Sequence, residues 1–313
     1  MHKTQKELRQ LLPRIDVFVE MLDARVPGSS SNPLLRSIRA DKPCLKLLHK
    51  ADLADPVATD EWIDYLNAVP AQQARPTDIN TPSSWQHLPA DCHAAAAPFR
   101  TRARADAPLL CLISGVPNVG KSTLINSLAG RRVARTGNEP AVTRALQRID
   151  IGQGVVLCDT PGLLWGNLEH VNTGLRLAIT SAIKDTVIDY AELGVALAAY
   201  LQQHYPERLQ TRYHGFEQGL PAGDPHSSPV PAEVEILDII GRQRGCLGAG
   251  GHVDLDKAGR ALVGDFRNGQ LGRITLESPA QVEQEQQEVI EQRETRQAEK
   301  DARKEQRRRK KKS

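Results

Sequence analysis

Residues Gly115 to Ser122 read GVPNVGKS and satisfy the pattern G-x-x-x-x-G-K-[ST]. In such a loop the glycines let backbone N–H groups close around phosphate oxygens, and the helix that follows adds the positive end of its dipole. Lys121 would bridge the β- and γ-phosphates of a nucleoside triphosphate, and Ser122 would ligate Mg²⁺. The octapeptide stands where that chemistry requires it. Ahead of it lies the apolar run APLLCLISG, a predicted strand, and its end opens KSTLINSLAG, a predicted helix stopped by Gly130.

A second group follows at DTPG, Asp159 to Gly162, which closes the apolar run VVLC 37 residues beyond Ser122. At a strand end Asp159 takes the place of the carboxylate that holds Mg²⁺ in phosphate-loop NTPases, and the Gly162 N–H would sense the γ-phosphate. On its own the tetrapeptide is also ordinary turn chemistry. Between the two, Thr143 in EPAVTRA sits in a polar loop ahead of a strand. A switch threonine there would close over Mg²⁺ and the γ-phosphate, the alternative being a cap or turn role. After Gly162 comes Leu163, where GTPases that orient water with a glutamine carry that residue. Leucine orients nothing, so a polarising group must come from elsewhere.

The tetrapeptide HKAD, His49 to Asp52, poses a question of order. It is close to Asn-Lys-x-Asp, in which the Asp accepts from the guanine N1–H and exocyclic amine, the Lys lays its stem over the base, and the Asn amide ties base to phosphate loop. Asp52 and Lys50 fit, at the end of the apolar run CLKLL. His49 departs, since each nitrogen of a neutral imidazole either donates or accepts; guanine preference is expected to persist through Asp52, with lower affinity than asparagine would give. Yet His49 lies 66 residues before Gly115, while GTPases usually place this element after the phosphate loop. A doubly wound sheet depends on where its strands lie rather than on where the chain begins, and permutation is tolerated when the old termini are close. Opening the chain between the metal-binding Asp and the next strand gives the order Asp52, Lys121, Asp159. The loop after Asp159 then runs directly into whatever follows, and a nucleotide-driven shift of that loop should move it.

The elements that must hold these residues alternate. IDVFVEML (15–22) and CLKLL (44–48) read as buried parallel strands, with NPLLRSIRA between them as a short helix capped by Asn32. DPVATDEWIDYLNAV reads as a helix with Val57, Trp62, Tyr65 and Leu66 on one face. From Pro70 to Pro108 the pattern weakens to loops, one short strand near RPTDIN and a weak helix before Pro98. LQRIDI and GVVLCDT read as neighbouring strands joined at Gly152 to Gly154. The implied fold is α/β, a doubly wound sheet with ligands at the carboxyl ends of its strands, spanning residues 1–166. Beyond it, 167–279 is rich in helix formers with recurring apolar residues, a smaller all-α domain. GRQRGCLGAGG (241–251) interrupts it as either an interhelical turn or an RNA contact.

Aromatics make up only 4 % of the 313 residues, which argues against a binder that stacks single-stranded bases. Five scattered cysteines with no Cys-x-x-Cys support neither a disulfide framework nor a zinc site and fit a reducing cytoplasm. No run approaches the roughly 18 apolar residues of a membrane span, and the N-terminus lacks the order of a signal peptide. The net charge of +3 hides an asymmetry: residues 303–312 hold eight basic and one acidic residue, +7, leaving −4 for the rest. Such a block suits a polyanion such as RNA, or serves only solubility, and 280–313 is expected to be a charged, basic, disordered tail whose helix, lacking an apolar face, would form only on binding.

In order and spacing, EMLDARVPGSSSNP, PNVGKSTLIN, ARTG, DTPGLLW, GLRLAITSAIKD, HYPERL and RGCL resemble the circularly permuted ribosome-assembly GTPases of the YlqF/RbgA type, over about residues 1–275. The resemblance implies a GTPase that uses GTP/GDP, Mg²⁺ and K⁺, binds the maturing large ribosomal subunit and its rRNA, and is released after hydrolysis. It makes His49, Lys50, Ala51 and Asp52 the base-reading tetrapeptide and puts Asn80 and Thr81 beside the guanine. It makes Asn118 a potassium ligand, with Val119, Gly120, Lys121, Ser122 and Thr123 around the phosphates and Thr123 near the α-phosphate. Lys121, Thr143 and Gly162 are then the catalytic set, and Ser122, Thr143 and Asp159 hold Mg²⁺. Members begin with Trp-Phe-Pro-Gly-His-Met, whose histidine stands in for the missing glutamine. This sequence starts at the Met, so the expectation is a start further upstream, with His2 as the alternative polarising group. A monomer in the cytoplasm without membrane contact is expected.

Two function classes follow: a GTP hydrolase switched on by the ribosome, and a GTP-gated rRNA-binding factor that hydrolyses little. An ATP-using kinase would leave Lys50 and Asp52 without a role.

Overall fold

The computed structural model describes residues 11–100, 107–134, 147–159, 170–184, 188–216, 219–221 and 230–310, with side chains through residue 300. Strands β1 (Val17–Asp23), β2 (Cys44–His49), β3 (Gln72–Thr77), β4 (Leu109–Gly115), β5 (Gln147–Asp150) and β6 (Val155–Asp159) form one sheet in the order β3-β2-β1-β4-β6-β5. All neighbours are parallel except β5 and β6, which pair antiparallel across the expected glycine turn. β1 is buried along all seven residues, as a strand covered on both faces must be.

Side chains alternate between two cores. Val17, Val19 and Met21 face Leu88 and Cys92 of α4 (Leu88–Ala96) and Leu124 and Ile125 of α5 (Lys121–Ala129). Phe18 and Leu22 face the other way, toward Leu35 of α2 (Pro33–Arg39), which follows the short α1 (Pro27–Ser30), and toward Trp62 and Leu66 of α3 (Pro56–Asn67). Asn32 caps α2 by accepting from the Leu34 N–H, and Asp55 caps α3 by accepting from Val57 and Ala58. Val57 does not join the face expected for it: it is 77 % exposed. It stands about two and a half turns before Leu66, and therefore on the opposite side of the helix. β3 begins earlier than RPTDIN and stops at Thr77, because Asp78 accepts from the N–H of Asn80 and closes a turn.

From β1 the chain steps outward to β2 and β3, then returns to the far side of β1 as β4. The crevice between β1 and β4 is therefore the topological switch point, at the carboxyl ends of the strands. A helical layer follows, made of α6 (Val171–Ile179), α7 (Tyr190–His204), α8 (Pro206–Arg212), α9 (Ala232–Gln243) and α10 (Leu255–Arg267). Its core of Leu197, Leu201, Ile236, Ile240, Leu262 and Phe266 takes in Val26 from the sheet side. α7 and α10 meet at Gly259, where a Cβ would lie 1.9 Å from the Tyr190 carbonyl oxygen. The segment 241–251 ends α9 and turns through an antiparallel Leu247–Val253 bridge.

The expected disordered tail is instead helical, α11 (Pro279–Lys310). Its first turns have what composition alone concealed, a local anchor. Val282 is buried in the core that contains Trp62, and Glu285 forms a two-pronged ion pair with Arg176 of α6. Beyond residue 290 the described side chains are exposed.

Candidate functional site

The phosphate-loop candidate fills the turn from β4 into α5. Asn118 and Gly120 take left-handed backbone angles, φ 59° and 104°, which bend the loop into the type of N–H-lined concavity that receives anions. The first N–H groups of α5, which have no acceptor within the helix, continue that surface. Val119 is buried in the sheet core, and its N–H reaches the Val116 carbonyl at 3.4 Å. Lys121, buried at the start of α5, is ion-paired with Asp159, which is fully buried at the end of β6. Ser122 is half-buried and Thr123 exposed on the same turn. The Ser122 hydroxyl and Asp159 carboxylate are hard oxygen donors of the kind Mg²⁺ takes. Among the described residues no three His, Cys, Asp or Glu side chains cluster to hold a metal. Mg²⁺ held there would complete its shell with phosphate oxygens and water.

The HKAD tetrapeptide lies beside this loop, with β1 between their parent strands. His49 is 2 % exposed, its Nδ1 lies 3.1 Å from the Thr77 hydroxyl, and its ring blocks Gly120: a Cβ there would meet Cδ2 at 2.7 Å. The imidazole thus ties the end of β2 to the turn between β4 and α5 by packing, a link an asparagine amide would make by hydrogen bonds. Burial, reinforced by the Lys50 charge, lowers its pKa to about 4, so the ring is neutral near pH 7. Lys50 leaves β2 with φ 62°, and its Nζ donates to Asp23 Oδ2 at 2.9 Å and to the Asn118 carbonyl at 2.9 Å. Burial pulls the Lys50 pKa down even though Asp23 opposes it.

Ala51 donates its N–H to the Thr77 carbonyl at 3.2 Å. Asp52 is exposed at the tip of the loop. The partial burial of its carboxyl, then Asp78, raise its pKa against the opposing charges of Arg25 and Arg273. Asn80 and Thr81 lie in the adjoining turn: the Asn80 N–H donates to Asp78 Oδ1 at 2.9 Å and the Thr81 hydroxyl to Oδ2 at 2.8 Å. Asn118 donates its side-chain amide to the Ser181 carbonyl at 2.8 Å. His49, Lys50, Asn118, Gly120, Lys121 and Asp159 are thus brought to the carboxyl-terminal edge of the sheet. His2, Thr143, Gly162 and Leu163 lie outside the described residues.

Two groups at this edge escape sequence reasoning. Asp23, at the end of β1, is 2 % exposed and receives Arg25 Nε at 2.9 Å and Nη2 at 2.8 Å besides Lys50. Burial alone would raise its pKa, but the two cations outweigh it and hold the carboxyl well below the usual range. The available signal is a carboxylate ending a strand buried along its whole length. Arg273, 221 residues beyond Asp52, donates from Nε to the Ala54 carbonyl at 2.7 Å and from Nη2 to that of Ala51 at 2.9 Å. No local pattern announces a contact of that sequence separation.

The family described as "50S ribosome-binding GTPase" matches residues 110–210. Ribosome biogenesis GTPase A of Priestia megaterium is 38 % identical over 292 residues, covering 91 % of this chain and 96 % of that protein. Mitochondrial ribosome-associated GTPase 1 of Mus musculus is 31 % identical over 292 residues, with 88 % of each chain covered. The crystal structure of GNP-bound YlqF from T. maritima superposes with a TM-score of 0.57 at 25 % identity, covering 88 % of this chain and 98 % of that one. With 38 % identity to the Priestia megaterium GTPase over about nine-tenths of its own length, the chain belongs to the ribosome biogenesis GTPase A family.

Proposed function

We propose that this protein hydrolyses GTP to GDP and phosphate and acts in assembly of the large ribosomal subunit, binding the subunit precursor through its rRNA in the GTP state and leaving after hydrolysis. The observation that carries the nucleotide reading is the 2.9 Å bond from Lys50 Nζ to the Asn118 carbonyl, which joins the base-reading and phosphate loops although the chain lists them in reverse order. In this reading Asp52 accepts from guanine, Lys50 lies along the base with Asn80 and Thr81 beside it, and His49 braces Gly120. The N–H groups from Val119 to Thr123 enclose the phosphates, and Lys121 leaves Asp159 for the β- and γ-phosphates. Ser122, Asp159 and Thr143 would hold Mg²⁺, which supplies charge neutralisation at the γ-phosphate. Asn118 would offer its side-chain oxygen to K⁺, and Gly162 would sense the γ-phosphate. The protein acts as a cytoplasmic monomer.

A second reading, occupancy with little hydrolysis, is favoured by Leu163, which cannot orient water. Single-turnover GTP hydrolysis with and without purified large subunits separates the two: stimulation supports the enzyme, and an unchanged slow rate supports the gated binder. Pull-down by large subunits with a non-hydrolysable GTP analogue but not with GDP tests the partner. Equal capture in both states would overturn it.

A further inference from the structure

The loop that carries Asp52 is held from outside. Its internal bonds are few: Leu53 N–H to the Lys50 carbonyl at 2.9 Å and Ala54 N–H to that of Ala51 at 3.4 Å. Three of its carbonyls also accept from an irregular stretch that follows α10. Arg273 bonds those of Ala51 and Ala54, and the Ile274 N–H donates to that of Leu53 at 3.0 Å. The loop's end is pinned as well, Asp55 N–H to the Thr275 hydroxyl at 3.1 Å. On both sides of Arg273 the stretch is rooted in the helical core through Leu271, Ile274 and Leu276. Asp52 thus sits between Ala51 and Ala54, the two residues that Arg273 grips, and the guanidinium is near enough to act on its charge.

We propose that Arg273 is a positioning residue for guanine specificity, fixing from the helical layer the loop that presents Asp52 to the base. This rests on the reading of Asp52 as the guanine acceptor. The physical reason is geometric. A carboxylate at the tip of a short exposed loop discriminates among purines only if its two oxygens are held opposite the ring N–H and the exocyclic amine, and within the loop two backbone bonds are too few to do that. A guanidinium forked onto carbonyls on either side of Asp52 removes the remaining hinge freedom.

Inosine diphosphate, which lacks the exocyclic amine, isolates the effect. For the full chain with Mg²⁺, titration of GDP and IDP into wild type, Arg273→Ala and Arg273→Lys is the test, with thermal unfolding of each variant alongside. Arg273→Ala is expected to lose about ten-fold in GDP affinity and much less for IDP, so that the preference for GDP over IDP shrinks several-fold, while Arg273→Lys, which keeps the charge and a single donor nitrogen in place of the fork, recovers part of it. A merely structural residue would weaken both nucleotides alike. An unchanged GDP/IDP ratio in a folded Arg273→Ala variant would overturn the proposal. Asp52→Asn separates the underlying reading, since an amide there should favour xanthosine diphosphate over GDP. If that switch occurs and the Arg273→Ala ratio is unchanged, only the role of Arg273 falls. If the switch fails, the reading of Asp52 falls, and the role of Arg273 with it.

Discussion

Removing the Asp23 carboxylate should cost this protein a large share of its stability. The group is buried between two cations: it accepts from Arg25 Nε and Nη2 at 2.9 and 2.8 Å, from the Arg25 N–H at 3.1 Å and from Lys50 Nζ at 2.9 Å. Arg25 is itself 2 % exposed and stacks on Phe266 of α10, its guanidinium carbon 5.1 Å from the ring centre, so it cannot turn to water without opening the contact between sheet and helical layer. Truncation to Ala therefore leaves a buried guanidinium without its counter-ion, a defect of about 3–5 kcal/mol. A domain's whole stability is about 5–15 kcal/mol. In urea, with an m-value of roughly 3 kcal/mol/M, the midpoint should fall by about 1 M or more. The double variant Asp23→Leu/Arg25→Met, which removes both charges, should be less destabilised than the single Asp23→Ala, because a buried pair replaced by apolar side chains is often neutral. A loss below about 1 kcal/mol for Asp23→Ala, or a double variant whose loss equals the sum of its singles, would refute the reasoning. The folded carboxyl titrates below its ordinary value of 3.8, so its contribution is complete above that pH and is lost as pH falls through the folded pKa. The measurement therefore belongs near pH 7. GDP affinity should fall with stability, since Lys50 loses one of its two acceptors.

Four further outcomes are expected. Gly259→Ala forces a methyl onto the Tyr190 carbonyl and should cost at least about 1–3 kcal/mol in urea unfolding as α7 and α10 separate. Arg176→Ala strips the counter-ion from Glu277, which is 2 % exposed, and from Glu285; a loss of about 3–5 kcal/mol is expected, with α11 freed to limited proteolysis. His49 titrates in the folded protein near 4 against an ordinary 6.5, so the unfolded chain takes up the proton first and stability should decline as pH drops from 6.5 to 4, by about 3 kcal/mol over that interval, a slope that His49→Gln should flatten. Deleting residues 303–313 should weaken binding to rRNA uniformly and make log K against log salt shallower by about 0.7–0.9 for each phosphate that the block neutralises, whereas an unchanged slope would make the block a spacer.

How far the sequence can be read depends on whether a residue's partner is local. The strand and helix that flank GVPNVGKS and the cap at Asn32 each follow from a few adjacent residues, and each is present in the fold. The permuted order follows from residue types at strand ends alone. Val57 departs from its expected face because angle around the helix, rather than apolar character, decides which positions are covered. The start of α11 is hidden for a different reason: between residues 279 and 290 the composition is polar, and what fixes the helix is one valine in a distant core and one glutamate against Arg176. By hydrogen-bonding capacity His49 is a weakened asparagine, yet its ring also fills the space above Gly120, a role that no pattern of donors and acceptors encodes.

The contacts of the chain after α10 give the permutation a mechanical meaning. Arg273, Ile274 and Thr275 hold the loop that carries Asp52. Two residues on, Glu277 accepts from the Ser29 N–H at 2.8 Å and pairs with Arg176 at 3.2 Å, and Glu285 takes the same guanidinium and the Asn172 amide. Arg176 and Asn172 belong to α6, the first described helix after Asp159. One stretch of about a dozen residues, 273–285, therefore touches both the Asp52 loop and the first described helix after β6. In an unpermuted chain β6 would be followed by further strands of the sheet; here the next described element is α6. A displacement of α6 would have to break the buried Arg176–Glu277 pair or carry residues 273–285 with it, and the latter would pull on the carbonyls on either side of Asp52. The Asp52 loop and α6 are thereby joined through one short stretch of the helical layer.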